Sequence, residues 1–367
     1  MPCLNSQYLA RKDILDLVIE SIIILLNYVI GEKSMVKMLF FDLKESERKY
    51  FEENDTSDFE ITLYKENLTD DTKLSVRECE ETAIVSVYTC SKITKKVLDK
   101  FKNIRVIAIR SNGYENIDIQ ACRSRNIAVM NISDSENISV AQYVMGVIFM
   151  LARNINKAVY DFKTKINRYE EYEGRDISKL SIGVIGTGVI GASVCKIAHK
   201  MDMKIYAYDI MVNRNLTNYV EYLSLIDVLR KSDIITLHIP YNRDLYHFIS
   251  EKEFNIMKEN SILINTSHGD LVDTRALYKA IKNNRIKGVA LDVIECENKY
   301  YDSSFNYFSN LEEAEILLLL QELLTEQNVI ITPRISQNTT DSTDKKLDIT
   351  FMNIKDFYKG RHTNRVD

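Results

Sequence analysis

The sequence predicts an α/β protein with parallel sheets, divided into two domains. Short apolar runs alternate with helical patterns along almost the whole chain, which is typical of parallel strands joined by crossover helices. The chain has 367 residues, which is too long for one ordinary domain and comfortable for two. Only 11 residues are glycine, and four of them lie between positions 183 and 191, where an apolar run meets a helical segment. We therefore expect two α/β units, one of them built around this glycine-rich turn.

The first half of the chain contains five predicted strands separated by helical patterns. They are KMLFFDL from Lys37, FEITLYKENLT, AIVSVYT from Ala83, IRVIAIR from Ile104 and IAVMNIS from Ile127. Ligands of open α/β sheets bind where the strands end. Asn112 and Gly113, in the loop after the fourth strand, are therefore candidate substrate-binding residues, together with Tyr64 at the end of the second strand.

The second half of the chain continues the alternation of helices and strands. A long helix is predicted from Ser139 to about Lys157, with Asn137 as its N-cap. The later elements are helix YLSLIDVLRKS, strand DIITLHIP, helix EKEFNIMKE, strand SILIN, helix RALYKAIKNN, strand and loop GVALDVIECEN, and strand NVIITP. We expect a long loop from Glu297 to Asn310 and a final helix over 341–359 that returns to the first domain.

The stretch from Ser181 to Asp209 has the order strand, glycine turn, helix, strand, acid. Gly186 would allow a tight turn, Gly188 would let backbone N–H groups approach a pyrophosphate, and Gly191 would let the helix pack closely on the strand. The positive end of the helix dipole adds to this attraction. An ordinary glycine turn is the alternative, but the concentration of scarce glycine here favours a dinucleotide site. Its cofactor-binding residues would be the three glycines with Val189 and Ile190, which open the helix.

Asp209, at the end of the second strand of this motif, indicates which dinucleotide is bound. A carboxylate here accepts hydrogen bonds from the ribose hydroxyl groups and repels a 2′-phosphate, which favours NAD over NADP. Arg214 lies five residues later and could meet a phosphate. We take Asp209 as the stronger signal because it stands at the expected place.

Composition excludes several other classes of function. The net charge of −5 offers no general attraction to nucleic acid, so a small molecule is the expected partner. The six cysteines have neither C-x-x-C spacing nor the density of a disulfide scaffold, which favours reduced thiols and a cytoplasmic protein. The five histidines are scattered, so no metal site is expected.

Residues 1–35 form an appendage that needs its own interpretation. The run from Ile14 to Ile30 is strongly apolar, but Asp16, Glu20 and Asn27 interrupt it, so it lacks the ~20 apolar residues of a spanning helix. No small-residue cleavage site follows, which argues against a secretory signal. An extra packed helix, an oligomer contact and an upstream extension ahead of a start at Met35 or Met38 remain open.

Several motifs together resemble the D-isomer-specific 2-hydroxyacid dehydrogenase family, especially its D-lactate dehydrogenases, including those of vancomycin-resistance clusters. They are RSNGYENID, GVIGTGVIG with YAYD, DIITLHIP, INTSHGDLVDTRALYKAIKNNRIKGVALDV and NVIITP, and the likeness covers about residues 37–360. The resemblance implies two Rossmann/flavodoxin-like domains with a cleft between them. These would be a substrate domain of residues 36–137 and 334–367 and an NAD-binding domain of residues 138–333. It also implies a homodimer, and cofactor contacts from His238, Pro240 and Thr266.

The resemblance also implies a chemistry, which is reduction of a 2-keto acid to a D-2-hydroxy acid by hydride from NADH. In the family an arginine holds the carboxylate, and a histidine paired with a glutamate donates the proton. The arginine position is His268 here, and the histidine position is Arg334. Glu297 keeps the place of the glutamate, and Asp292 keeps that of an aspartate near the nicotinamide.

Three interpretations of this exchange follow. Arg334 could hold the carboxylate while His268 acts as the acid. Alternatively, the protein binds NAD but turns over little substrate, because arginine has a pKa above about 12 and does not donate protons at useful rates, and loss of a general acid costs ~10²–10⁴ in rate. A third option is another substrate, since Gln337 and Asn338 replace aromatic residues of the lactate enzymes. The non-functional interpretation is an Arg334–Glu297 ion pair with His268 as a loop residue exposed to water.

Overall fold

The computed structural model describes residues 35–132, 138–302, 306 and 310–367. They divide into two compact units. The first contains the residues up to 132 with Thr343–Asp367, and the second contains the described residues from 138 to Ser342. The sequence placed the return to the first domain at residue 334. The intervening residues stay with the second unit because the Asp292 carboxylate accepts hydrogen bonds from the backbone N–H groups of Ile335 and Ser336.

The first unit is built on a five-stranded parallel sheet with the strand order β2-β1-β3-β4-β5. Its elements in chain order are β1 Val36–Phe40, α1 Glu45–Glu53, β2 Phe59–Leu63, α2 Val76–Glu81, β3 Ile84–Val87, α3 Lys95–Leu98, β4 Val106–Ile109, α4 Ile119–Arg123 and β5 Ala128–Met130.

The second unit is built on a seven-stranded parallel sheet with the strand order β12-β11-β10-β9-β6-β7-β8. Its elements are α5 Ile138–Ala152, α6 Ile155–Lys163, β6 Ser181–Ile185, α7 Val189–Lys200, β7 Lys204–Tyr208, β8 Val220–Tyr222, α8 Leu225–Lys231, β9 Ile234–Leu237, α9 Glu251–Ile256, β10 Ile262–Asn265, α10 Thr274–Lys282, β11 Gly288–Leu291, α11 Glu297–Tyr300, α12 Leu311–Leu323 and β12 Val329–Ile331. A last helix, α13 Thr340–Tyr358, begins in this unit and continues in the first.

Apolar side chains pack on both faces of each sheet. In β1, Met38 and Phe40 belong to one buried cluster and Leu39 to another, because successive side chains of a strand point to opposite faces. The central strands of the second sheet are likewise buried along their whole length and divide between two clusters. Burial on both sides explains why the strands are nearly continuous apolar runs in the sequence. The predicted α/β architecture with two parallel sheets is confirmed.

The predicted long helix from Ser139 to Lys157 is wrong, because two helices, α5 and α6, meet at a bend of 64°. Asn154 adopts a left-handed conformation with φ of 52°, and its side-chain amide donates a 2.8 Å hydrogen bond to the Glu173 carbonyl. No single helix of the described residues is long and apolar enough to cross a membrane, and α5 with α6 pass that test only as a bent pair, by length and composition.

Three other expectations need correction or fall outside the described residues. The helix predicted from Tyr222 begins only at Leu225, after the short edge strand β8, because the Ser224 hydroxyl caps α8. The predicted loop from Glu297 starts with the single helical turn of α11, and helix α12 after Asn310 was not predicted. Residues 1–34 and the proposed N-cap Asn137 lie outside the described residues.

Candidate functional site

The glycine turn between β6 and α7 has the geometry that the motif predicts. Gly186 has a φ of 89°, and a Cβ at this position would lie 2.3 Å from the carbonyl oxygen of His238. A Cβ at Gly191 would lie 1.9 Å from the carbonyl oxygen of Gly186. Both positions therefore require glycine for steric reasons, one for the turn and one for the close approach of the helix.

Gly188 differs from the other two glycines because nothing lies within 4 Å of the position that its Cβ would occupy. Gly188 is the N-cap of the 12-residue helix α7. Val189 and Ile190 follow as the first helical residues and are both partly exposed. Unpaired N–H groups at the start of a helix attract anions, so this open end fits a pyrophosphate.

Asp209 lies at the carboxyl end of β7 and is tied to the glycine turn. Its Oδ2 accepts hydrogen bonds from the Thr187 N–H at 2.5 Å and the Thr187 hydroxyl at 3.0 Å, and its Oδ1 accepts one from the Met211 N–H at 3.0 Å. Burial tends to raise the pKa of Asp209, but these hydrogen bonds outweigh it and hold the pKa below its ordinary value. The carboxylate is therefore charged at neutral pH, as an acceptor for ribose hydroxyl groups must be.

Sequence reasoning missed the residues that fix this arrangement. The Tyr222 hydroxyl donates to the Thr187 hydroxyl oxygen at 3.0 Å, and the Asn213 side-chain amide donates to the Thr187 carbonyl at 3.1 Å. Thr187 stands between two of the motif glycines, which is the one signal that could have drawn attention to it. Arg214, the possible phosphate contact, is exposed in the turn that follows.

His238 and Pro240 follow β9 at the same edge of the sheet. The backbone carbonyl of His238 is the group that leaves no room for a side chain at Gly186. The ring Nε2 of His238 lies 2.9 Å from the Thr236 hydroxyl. Burial lowers the pKa of His238 to about 3, so the ring is neutral and serves here as a hydrogen-bonding group. Pro240 is exposed at the start of the next loop.

Thr266, directly after β10, offers a hydroxyl group to a ligand. Its Oγ1 is buried and has no hydrogen-bond partner among the described residues. A buried polar atom without a partner is costly, so a bound group that supplies one would be favoured. The open Gly188, the charged Asp209 and this hydroxyl all follow strands of one sheet at its carboxyl edge, and together they fit a dinucleotide.

Asp292, which the resemblance places near a nicotinamide, organises the loop after β12. It is buried, and its carboxylate accepts hydrogen bonds from the Thr332 hydroxyl at 2.7 Å, the Ile335 N–H at 2.8 Å and the Ser336 N–H at 2.9 Å. The Arg334 N–H donates to the Asp292 carbonyl at 3.1 Å. The backbone on both sides of Arg334 is thus held by a single residue.

Arg334 and Glu297 form the ion pair that the sequence suggested. The Nε of Arg334 donates to Oε2 of Glu297, and the Glu297 side chain is 13% exposed whereas that of Arg334 is 56% exposed. The described residues supply no hydrogen-bond partner for the two terminal guanidinium nitrogens. Glu297 therefore holds the inner edge of the guanidinium at Nε. The two terminal nitrogens form an outer edge that can bind a carboxylate with two hydrogen bonds.

His268 caps the short turn Gly269–Leu271, and its side chain is 40% exposed. Its Nδ1 accepts a 3.3 Å hydrogen bond from the Asp270 N–H, and its ring stacks on that of Tyr241 with centroids 4.2 Å apart. The Asp270 carboxylate lies on the same side of the ring, with its Oδ2 3.9 Å from Nδ1. His268 was expected to be a loop residue exposed to water; its side chain is partly exposed, but it also contacts Tyr241 and Asp270.

The three candidate substrate-binding residues all belong to the first unit, while every residue of the cofactor and catalytic sets belongs to the second. Tyr64 donates its hydroxyl hydrogen bond to Glu78 and stacks on Phe41 with centroids 4.6 Å apart. The exposed Asn112 uses its carbonyl as an acceptor for the Asn131 side chain at 2.8 Å, and Gly113 follows it. No group of three or more possible metal ligands occurs in the described part of the chain.

A family model and individual relatives of this chain indicate the same protein family. Residues 145–336 match the model of the D-isomer specific 2-hydroxyacid dehydrogenase NAD binding domain. A D-specific alpha-keto acid dehydrogenase of Enterococcus faecium is 34% identical over 74% of this chain and 82% of its own length. An aromatic 2-oxoacid reductase of Clostridium sporogenes is 32% identical over 74% of this chain and 82% of its own length.

Solved structures agree with this assignment. D-lactate dehydrogenase from Aquifex aeolicus, complexed with NAD and lactic acid, has a TM-score of 0.73 and 30% identity over 90% of this chain and 98% of that one. D-2-hydroxyisocaproate dehydrogenase has a TM-score of 0.80 and 26% identity over 90% of this chain and 99% of that one. The second unit therefore carries the family's NAD-binding domain, with NAD as its cofactor, and the chain belongs to the D-isomer specific 2-hydroxyacid dehydrogenase family.

Proposed function

We propose that this protein is an NAD-dependent oxidoreductase that interconverts a 2-keto acid and a D-2-hydroxy acid, with the two catalytic side chains exchanged. The observation that carries the proposal is the guanidinium of Arg334, fixed by Glu297 on one edge and open on the other. It belongs to the same unit as the open Gly188 turn and Asp209, which fit the dinucleotide. Tyr64, Asn112 and Gly113 of the first unit are proposed to bind the substrate.

In this proposal Arg334 binds the substrate carboxylate through its outer edge, as a planar and permanently charged donor does. Bound NADH supplies the hydride. His268 supplies the proton to the keto oxygen as the general acid. Gln337 and Asn338, beside Arg334, would shape the pocket for the substrate side chain.

A second candidate function is NAD(H) binding without turnover, as in a sensor. The observation that favours it is that the His268 ring is already engaged, since its Nδ1 accepts from the Asp270 N–H and its face stacks on Tyr241. An arginine at the family's histidine position does not donate a proton at useful rates. In that case the Arg334–Glu297 pair binds a carboxylate but no proton donor stands beside it.

Two measurements separate these functions. NADH fluorescence titration is expected to show binding, and a folded protein that fails to bind NADH would overturn both candidates. NADH oxidation with a panel of 2-keto acids then separates an enzyme from a binding protein.

The reversions His268→Arg and Arg334→His, made singly and together, decide whether the exchange is functional. An active parent that loses activity in either single variant supports the working exchange. An inert parent whose double variant gains activity by orders of magnitude supports the non-catalytic candidate.

We further propose that the protein is a cytoplasmic homodimer. Support comes from a group of exposed apolar side chains on α6 and the segment after it, where a monomer would leave a large apolar patch in water. They are Ile155, Val159, Tyr160, Phe162 and Ile166. Light scattering is expected to give the mass of two chains for the parent and of one for Phe162→Glu. The cysteines of the described residues are all free thiols, as reducing conditions would keep them.

A further inference from the structure

Backbone strain in the second unit is concentrated around one short segment. Among the described residues other than glycine, asparagine and aspartate, four have a positive φ, namely Lys165, His247, Cys296 and Arg334. Such conformations are strained and persist only where the surroundings hold them. Three of the four residues contact or belong to the segment Glu295–Glu297.

Glu295 is buried and accepts hydrogen bonds from two other parts of the chain. Its Oε1 lies 2.9 Å from Nε2 of His247 and accepts the hydroxyl of Tyr246 at 3.2 Å. Its Oε2 accepts the Thr274 N–H at the start of α10, at 3.2 Å. A single carboxylate thus ties the connection after β9 to the start of a helix.

The loop that carries His268 packs against two of these residues, His247 and Glu295. The His247 N–H donates to the Asp270 carbonyl at 2.8 Å. A Cβ at Gly269 would lie 2.0 Å from the Ile294 carbonyl oxygen and 2.6 Å from the Glu295 nitrogen, so the loop rests directly on the backbone before Cys296. The loop of His268 and the backbone of Glu295 are therefore in direct contact.

Glu297, two residues further on, holds the other exchanged residue, Arg334. Side chains two residues apart in an extended strand share one face, but Cys296 between the two glutamates has a φ of 56° and breaks this regularity. Glu295 can then pair with His247 while Glu297 pairs with Arg334. The strained residue Cys296 thus joins the carboxylate that contacts His247 to the carboxylate that contacts Arg334.

We propose that Glu295 is a positioning residue for the exchanged site, acting through Glu297 on Arg334 and through the packed loop on His268. It touches neither substrate nor cofactor in this proposal. Loss of its carboxylate releases Tyr246, His247 and the backbone of residues 295–297, and the guanidinium of Arg334 loses its fixed inner edge. The proposal rests on the proposed function, since it assigns a role in presenting Arg334 to a substrate carboxylate.

The first test measures the position of Arg334 directly. Phenylglyoxal modifies exposed arginines, and peptide mass spectrometry of the full-length protein gives the rate at Arg334. We expect Glu295→Ala to raise this rate several-fold, and Glu295→Gln, which retains an oxygen acceptor, to remain closer to the parent. Asp161→Ala is the matched control, because Asp161 is a buried carboxylate of the same unit that pairs with Arg168, Tyr172 and Gln327. An unchanged rate in Glu295→Ala, or an equal rise in Asp161→Ala, overturns the proposal.

The second test measures binding of oxalate, which has the adjacent C–O groups of a 2-keto acid but is not reduced. Titration of the NADH complex is expected to show severalfold weaker oxalate binding in Glu295→Ala, because the guanidinium that receives the carboxylate is no longer held in one orientation and must be ordered on binding. NADH affinity should stay within twofold of the parent. A parent that binds NADH but not oxalate refutes the proposed function, whereas the phenylglyoxal rates still decide the role of Glu295. Unchanged oxalate affinity in Glu295→Ala contradicts the positioning role.

Discussion

Two arginine–glutamate pairs, one in each unit, show how burial decides what an ion pair does. Arg110 and Glu47 lie 3.0 Å apart in the first unit, and both side chains are fully buried. The Arg110 guanidinium also donates to the Ser86 hydroxyl at 2.8 Å and the Phe41 carbonyl at 2.6 Å. Arg334 and Glu297 have the same chemistry, but Arg334 is mostly exposed.

The difference lies in the hydrogen-bonding capacity that each arginine retains. Arg110 directs its donors into the protein and lies between the rings of Phe40 and Tyr88, 3.7 and 4.4 Å from their centroids. Burial lowers the pKa of Arg110, and the charge of Glu47 counteracts this effect. The pair therefore joins the ends of β1 and β4 to helix α1 and has no capacity left for a ligand. In Arg334 only Nε is paired among the described residues, so the two terminal guanidinium nitrogens remain available to a ligand.

The largest expected effect is on stability, from Glu47→Ala. Removing one partner of a buried pair leaves an uncompensated charge, so we expect the free energy of unfolding to fall by about 3–5 kcal/mol. Urea unfolding followed by circular dichroism measures this, with Glu297→Ala as the matched control, which should lose less than about 1 kcal/mol. Equal losses in the two variants would show that burial does not separate the pairs.

The double variant Glu47→Leu with Arg110→Met sharpens the same comparison. Replacing a buried ion pair by apolar side chains of similar volume is often neutral or stabilising by ~1–4 kcal/mol. We therefore expect the double variant to recover most of the stability that Glu47→Ala loses. A double variant as unstable as the single one would mean that the hydrogen bonds to Ser86 and Phe41, and not the charge, hold this region together.

The sequence predicted those parts of the site whose requirements are local. Gly186 and Gly191 were assigned their steric roles correctly because a turn and a close helix approach leave no room for a side chain. The contacts of Thr187 with Tyr222, 35 residues away, and of Glu295 with His247, 48 residues away, depend on tertiary packing that no short motif encodes. The bend at Asn154 escaped prediction for a similar reason, since the hydrogen bond from its side-chain amide to the Glu173 carbonyl stabilises the bend from outside the helical pattern.

Arg334→Lys tests whether the exposed pair has a ligand-binding role. Lysine keeps the charge but loses the planar pair of donors, so a carboxylate loses one charge-assisted hydrogen bond worth about 1.5–3 kcal/mol. Oxalate binding to the NADH complex should therefore weaken by roughly 10- to 100-fold, with the free energy of unfolding almost unchanged. Arg125→Lys is a suitable control, because that arginine pairs with Asp99 on the surface of the first unit. Oxalate affinity that survives Arg334→Lys would place the carboxylate on another residue.

The smallest expected effect is the coupling energy between Arg334 and Glu297 themselves. A double-mutant cycle of Arg334→Met and Glu297→Gln, read from urea unfolding, should give about 0.2–1 kcal/mol at low salt because the guanidinium is largely hydrated. In 1 M salt the Debye length falls to about 3 Å, so the coupling should largely disappear. The Arg110–Glu47 coupling, measured in the same way, should persist, because buried pairs are screened much less. A salt-resistant coupling at Arg334 would mean that this pair is as closed as the buried one and that its outer edge does not serve a substrate.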